Sequence, residues 1–218
     1  MPRKTLVVSD HLPYHVTVRG NNREPFPLDL TEVWTIFSRL VYSVAITHGF
    51  RFHAAVLMPN HIHIMISTPE KPLDTGMQTL ISRLTREINQ RTGRTGRIFG
   101  SRYHWSIIEK PFYFLNALKY VYRNPVRAKL CDRAEEYEFS TLGSLVGRGH
   151  LWIPITPPVG SNTVFPGGLL EGEILDWFNA PFRKEDEERL RSGFKRRIFN
   201  PRAKNWKRSL KSLAEDLA

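Results

Sequence analysis

Between Phe50 and Thr68 the chain alternates twice with a period of two, and this pair of runs limits the fold more than any other feature. Phe50, Phe52, Ala54 and Val56 alternate with Arg51 and His53, Met58-Pro59-Asn60 breaks the run, and a second alternation covers His61 to Thr68. Successive side chains on a strand point to opposite faces, so two antiparallel strands joined by a short turn are expected. In the second strand Ile62, Ile64 and Ile66 enter a core on one face while His61 and His63 leave together from the other.

The flanking segments supply the rest of a sheet. Tyr14, Val16 and Val18 alternate with His15, Thr17 and Arg19 and stop at Gly20-Asn21-Asn22, which gives a first strand and a turn. Leu30, Val33, Trp34, Phe37, Leu40, Val41 and Val44 recur at helical spacing, with Thr31 near the start and Gly49 past the end. Met77, Leu80, Ile81, Leu84 and Ile88 mark a second helix closed near Gly93, and residues 102–110 a fourth strand. Pro111 suits a first helical turn, and Phe114, Leu115, Ala117, Leu118, Val121 and Tyr122 cover one arc of the helix that follows. That helix is expected to end near Pro125, because the residue before a proline is biased away from helical angles.

The order strand, helix, strand, strand, helix, strand predicts an α+β fold with a ferredoxin-like (RRM-like) antiparallel sheet. The tyrosine-bearing helix from Pro111 is an addition to it, and a basic C-terminal extension follows. Residues 10–145 are expected to form the main domain and 146–218 a linker and extension, with 147–168 rich in Gly, Pro, Ser and Thr and short helices over 169–178 and 183–199.

Charge points to a polyanion. The chain carries 32 Lys and Arg against 21 Asp and Glu, a net charge of +11, and residues 183–211 hold twelve basic and four acidic side chains. From Gly76 to His104 stand Arg83, Arg86, Arg91, Arg94, Arg97 and Arg102 with Glu87 as the one acid. Such a surface can follow a phosphate backbone, and Tyr103, His104 and Trp105 can stack on unpaired bases. Cys131 is the only cysteine, which excludes an intrachain disulfide and a cysteine-built zinc site. No run approaches the ~18 apolar residues of a membrane span, and Leu6-Val7-Val8 is too short for a signal core, so a cytoplasmic protein without membrane contact is expected.

Two imidazoles two residues apart on a strand can share one cation, zinc most readily, and with oxygen ligands and a phosphate also magnesium or manganese. The plainer alternative is a pair of hydrogen-bonded histidines. Tyr120 and Asn124 lie four residues apart, about 40° around a helix, and face the same way if the last turn holds. Here the alternative is a tyrosine flanking the core and an asparagine ending the helix. Tyr122 falls inside the apolar arc, and Tyr113 lies about 10 Å further up the axis.

Four segments then combine: Tyr14-His15-Val16-Thr17-Val18-Arg19-Gly20-Asn21-Asn22-Arg23, Met58-Pro59-Asn60-His61-Ile62-His63, Gly100-Ser101-Arg102-Tyr103-His104-Trp105, and Lys119-Tyr120-Val121-Tyr122-Arg123-Asn124-Pro125-Val126-Arg127-Ala128. In order and spacing the chain resembles the REP-associated tyrosine transposases, relatives of the single-tyrosine transposases of the HUH endonuclease superfamily, over residues 12 to about 130. The resemblance implies that Tyr120 is the nucleophile and that His61, His63 and Asn124 hold Mg2+ or Mn2+, with Asn124 standing where broader relatives carry glutamine. It implies single-stranded DNA with hairpins, the repetitive extragenic palindromes, as substrate, cut to a 5′-phosphotyrosine and a free 3′-hydroxyl. Arg19, Asn21, Asn22, Arg23 and Arg127 from these segments, with Arg83, Arg86, Arg97, Arg102, Tyr103 and Trp105, are the expected DNA contacts. A monomer is implied, with a dimer that trades the tyrosine helix as the alternative. Two rival readings are a nucleic-acid-binding module on the same fold that has lost its chemistry, and a nickase of the relaxase or replication-initiator type.

Overall fold

The turn at Pro59-Asn60 sets the register of everything around it. In the computed structural model, which describes residues 8–148, 153–156 and 172–199, strands β2 (Arg51–Met58) and β3 (His61–Ser67) pair antiparallel with Met58 opposite His61 and Val56 opposite His63. Strand β1 (Tyr14–Arg19) lies on the other side of β3, and β4 (His104–Ile107) on the other side of β1, giving the order β2-β3-β1-β4 with antiparallel neighbours. This is the ferredoxin-like order expected from the sequence.

Helices α1 (Leu30–His48) and α2 (Leu73–Thr92) cover one face. Asp29 caps α1 by accepting the Thr31 N–H at 2.8 Å, and Gly49 and Gly93 end the two helices in the left-handed region at φ 65°. Val33, Phe37, Val41, Leu80, Leu84 and Ile88 are buried against Val16, Val18, Ile62, Ile64 and Ile66. Each such fully buried side chain contributes roughly 1.5–3 kcal/mol.

The opposite face of the sheet is covered by α3 (Pro111–Tyr122), whose Phe114, Ala117, Leu118 and Val121 join Ala54, Val56, Met58 and Met65 in a second cluster. One sequence expectation needs correction here. β4 spans four residues rather than 102–110, because it takes its register from β1 only between Tyr14 and Thr17. The tyrosine-bearing helix ends at Tyr122, near Pro125 as expected. Arg123 keeps right-handed angles of φ −83° and ψ −5°, and α4 (Asn124–Arg127) continues at once, with Pro125 in its first turn, where a missing N–H costs no hydrogen bond. Asn124 therefore lies just past that helix and opens the turn that follows.

Helix α5 (Thr141–Leu145) and two helices of the C-terminal extension, α6 (Gly172–Asn179) and α7 (Lys184–Gly193), complete this side. Phe178, Leu190 and Phe199 are buried in the second cluster, and Ile198 bridges Ile107 of β4. Most of the linker 147–168 and the basic residues 200–211 lie outside the described residues. No helix among the described residues is long and apolar enough to cross a membrane.

Candidate active site

The pairing of β1 with β3 puts Arg19 opposite His61, Thr17 opposite His63 and His15 opposite Met65, so the polar alternation of β1 shares a face with both histidines. The His61 and His63 rings stand 4.9 Å apart, and His63 and His15 lie 5.2 Å apart and nearly parallel, with His15 Nε2 3.0 Å from His63 Nδ1. His15 and His63 are 4% and 5% exposed. Burial pushes His15 down to about 3. Burial, then the charges of Arg19 and Arg127, brings His61 to about 4. Burial and the neighbouring His15 and His61 hold His63 well below the ordinary histidine value. The rings are neutral at pH 7, which is the form that offers a lone pair to a cation.

Asn60, in the turn before His61, ties that ring to the loop after β1. Its Nδ2 donates to the Arg23 carbonyl at 2.6 Å, so its Oδ1 faces His61 and accepts from Nδ1–H at 2.7 Å. That leaves the His61 lone pair on Nε2. The loop itself is tightly fitted: Gly20 N–H donates to the Asn60 carbonyl at 2.7 Å, and a Cβ on Gly20 would stand 2.8 Å from the Glu24 carbonyl oxygen. Asn22 and Arg23 adopt left-handed angles, φ 53° and 62°, at a cost of about 1–3 kcal/mol each.

Tyr120 comes from α3 on the opposite side of this space. Its ring is 6.2 Å from His63 and 6.4 Å from His15, edge-on to both, and the Arg127 guanidinium lies 5.6 Å from its centroid. Asn124, one turn later and 1% exposed, donates from Nδ2 to the Tyr120 carbonyl at 2.8 Å. Its Oδ1 accepts from Arg127 Nη2 at 3.0 Å, while Arg127 Nη1 donates to Glu187 Oε1 of α7 at 3.1 Å. A cleft of 100 Å³ opens beside Tyr120, lined by Arg123, Asn124, Val126, Arg127, Pro181, Phe182 and Glu187. Phe194 closes the other side, 5.1 Å from the Tyr120 ring and 4.1 Å from His15, stacked on Phe199 at 4.4 Å. Tyr120 is consequently only 9% exposed.

The other tyrosines are placed as the helix geometry suggests. Tyr122 is 0% exposed, its hydroxyl 3.1 Å from Thr141 Oγ1, and Tyr113 packs edge-on to Phe199. Lys119 turns away from the histidines; its ammonium sits over Trp177 at 4.6 Å and Phe182 at 5.0 Å, and burial with the nearby Arg123 charge brings it down to about 8.

The arginines and aromatics predicted to touch DNA divide into two groups. Arg19 and Arg127 act electrostatically on His61, and Asn22 and Arg23 are exposed on the loop beside it, with Asn21 partly buried. Exposed Arg97 and Arg102 flank a segment tied to that loop by Asn21 N–H donating to Ile98 O at 2.8 Å and Gly100 N–H donating to Arg19 O at 3.1 Å. Arg83 and Arg86 instead lie exposed on α2, which covers the other face of the sheet. Tyr103 and Trp105 also pack against that first cluster, Trp105 edge-on to Tyr14 at 6.2 Å, away from Tyr120. Four residues of the site were not singled out by sequence reasoning: His15, Asn60, Glu187 and Phe194. His15 carried a usable signal, since it belongs to the polar face of the same alternation that was read as a strand.

Among the described residues no group of three or more His, Cys, Asp or Glu side chains is arranged to hold a metal ion. The available donors are Nε2 of His61 and of His63, which make no hydrogen bond among the described residues, and Oδ1 of Asn124, which is engaged by Arg127.

Residues 8–124 match the family model described as "Transposase IS200 like". Among solved structures, a REP-associated tyrosine transposase bound to a REP hairpin is 20% identical, covers 74% of this chain and 94% of its own, and superposes with a TM-score of 0.57. A putative transposase from Deinococcus radiodurans is 17% identical over 60% of this chain and 92% of its own, with a TM-score of 0.38. No curated protein matches. With more than half its length matched by the family model and the fold shared with the first of these structures, the chain belongs to the family of IS200-like transposases, enzymes that process DNA.

Proposed function

We propose that this chain is a metal-dependent endonuclease and strand transferase that cuts single-stranded DNA beside a hairpin through a 5′-phosphotyrosine on Tyr120. The observation that carries the proposal is the Tyr120 ring standing edge-on 6.2 Å from His63, one helical turn before Asn124 and beneath the Arg127 guanidinium. The groups the reading needs, a nucleophile, two neutral imidazoles, an amide oxygen and a fixed positive charge, come from β3, α3 and α4.

In the proposed reaction Tyr120 Oη forms a bond to the phosphorus of the scissile phosphodiester, and the bond to O3′ breaks. The phenolic proton is lost and the leaving oxygen is protonated to a 3′-hydroxyl. Attack by another 3′-hydroxyl on the phosphotyrosine reverses the step and rejoins DNA without an external energy source. Arg127 and Arg19 place positive charge where the phosphate would lie. His61 and His63 would hold a divalent cation, magnesium or manganese, through Nε2, with Asn124 Oδ1 joining them once Arg127 turns to the phosphate. Bound there, such an ion would supply Lewis-acid stabilisation of charge developing on the phosphate.

The hairpin assignment is supported by the structural relative with its REP hairpin and by the exposed basic groups at the His61 end of the sheet, Arg19, Arg23, Arg97 and Arg102. Arg83, Arg86 and the basic residues of the C-terminal extension would contact more distant phosphates, while Tyr103 and Trp105 would meet bases only at the sheet edge. A cytoplasmic monomer completes the proposal. The test is incubation of the full chain with hairpin oligonucleotides bearing single-stranded flanks, in Mn2+ or Mg2+, read on denaturing gels. A covalent protein–DNA band is expected; tight DNA binding with no band in either metal would favour the silent binding module instead.

A further inference from the structure

The arrangement of three histidines contains one whose role the reaction above does not use. We propose that His15 is a positioning residue of the metal site, holding His63 in the one tautomer and orientation that offers Nε2 to the cation. This rests on the reading that His61 and His63 hold a metal.

The geometry is specific. His15 comes from β1 and reaches diagonally across the strand pair to His63, Nε2 to Nδ1 at 3.0 Å, with the two ring planes within 16° of each other. The other histidine is held at the same atom by a different partner: Asn60 Oδ1 accepts from His61 Nδ1–H at 2.7 Å. Both rings are thus engaged at Nδ1, which leaves Nε2 of each as the nitrogen open to a cation. An imidazole bound to a metal through one nitrogen gains when its other N–H meets a fixed acceptor, which sets the ring's angle and raises its basicity as a ligand. For His61 that acceptor is an amide oxygen; for His63 it is the lone pair of His15 Nε2.

Burial argues in the same direction. An imidazole removed from water needs a partner for its polar atoms. His15 is 4% exposed, and a phenylalanine or leucine at this place would pack against Phe194 and Tyr120 with no polar group to satisfy. Among the described residues its polar contact is the one to His63.

The test uses the full chain, with His15→Phe to remove the acceptor at similar volume and His15→Gln, whose Oε1 can take the place of Nε2. Nitrogen-15 shifts of labelled histidine in the metal-free protein should show His63 protonated at Nδ1 in the wild type and in His15→Gln, and shifted toward the Nε2–H form in His15→Phe. Mn2+ titration followed by the paramagnetic resonance of the free ion should show affinity reduced by about 10–100-fold in His15→Phe, with the glutamine variant close to wild type and all three proteins folded. A wild-type His63 protonated at Nε2, or a His15→Phe protein that binds Mn2+ as tightly as wild type, overturns the proposal. A wild-type chain that binds no Mn2+ removes the metal reading itself, and the role of His15 with it.

Discussion

Phe194 should act as a removable cover, and replacing it with alanine measures how firmly it is seated. Among the described residues, the Phe194 ring of the segment after α7 packs on both Tyr120, at 5.1 Å, and His15, at 4.1 Å. Its seat against both rings is the basis for expecting that it must lift before a scissile phosphate reaches Tyr120. Truncating a fully buried phenylalanine costs about 3–5 kcal/mol; Phe194 is only partly buried, so we assign about 2 kcal/mol to its packing on Tyr120, His15 and Phe199. If cutting requires the cover to lift, that loss raises the open population by roughly 30-fold, since 1.36 kcal/mol is a factor of ten. Single-turnover cleavage of a hairpin oligonucleotide in Mn2+, quantified on denaturing gels, should therefore accelerate by up to about 30-fold. Thermal unfolding should confirm that the variant remains folded. A folded Phe194→Ala protein that cuts at the wild-type rate or more slowly would refute the reasoning.

Removing residues 200–218, which carry five basic and two acidic side chains, should weaken DNA binding and make its dependence on salt shallower by up to about 3 in the log–log slope, measured by fluorescence anisotropy. Truncating further back is a poor test, because Phe178, Leu190 and Phe199 belong to the core. Buried His15 and His53 and half-buried His61 have folded values of about 3, 4 and 4 against an ordinary 6.5. The unfolded chain therefore takes up protons first as pH falls below 6.5, stability present at neutral pH is lost toward about pH 4, and the urea midpoint should be lower at about pH 5 than at about pH 7.5. Tyr122→Phe should lower stability by about 1 kcal/mol through loss of the buried bond to Thr141 while leaving covalent adduct formation intact, as denaturant curves and gels would show.

The sheet was legible in the sequence because period-two alternation reports strand faces directly. The alternation at His61 to Ile66 placed both histidines on one side, and the antiparallel strand order followed from the order of elements. The helix arc likewise separated Tyr120 from Tyr122. What escaped were features set by contacts distant in sequence. The Pro125 rule predicted the helix end seen at Tyr122, but not that a new helix starts at once at Asn124, where a proline in the first turn breaks no hydrogen bond. His15 could be placed on the polar face of its strand, but its bond to His63 depends on strand register, which a single sequence does not state. Tyr103 and Trp105 read as stacking residues from composition alone; the register of β4 turns Trp105 to the α1–α2 side. The C-terminal segment read as a basic arm. Its charge concealed Phe178, Leu190, Phe194 and Phe199, which bring it down onto the tyrosine.

The central claim is that Tyr120 alone attacks the DNA. Tyr120→Phe removes one oxygen and keeps the ring that packs against His15, His63, Arg127 and Phe194, so folding and hairpin binding should survive. The decisive measurement is mass spectrometry of the protein–DNA adduct trapped with a hairpin oligonucleotide in Mn2+. A nucleotide-linked peptide modified at Tyr120 in the wild type, and no adduct of any kind from Tyr120→Phe, is the predicted result; an adduct that persists in Tyr120→Phe, or that maps to another residue in the wild type, would contradict it.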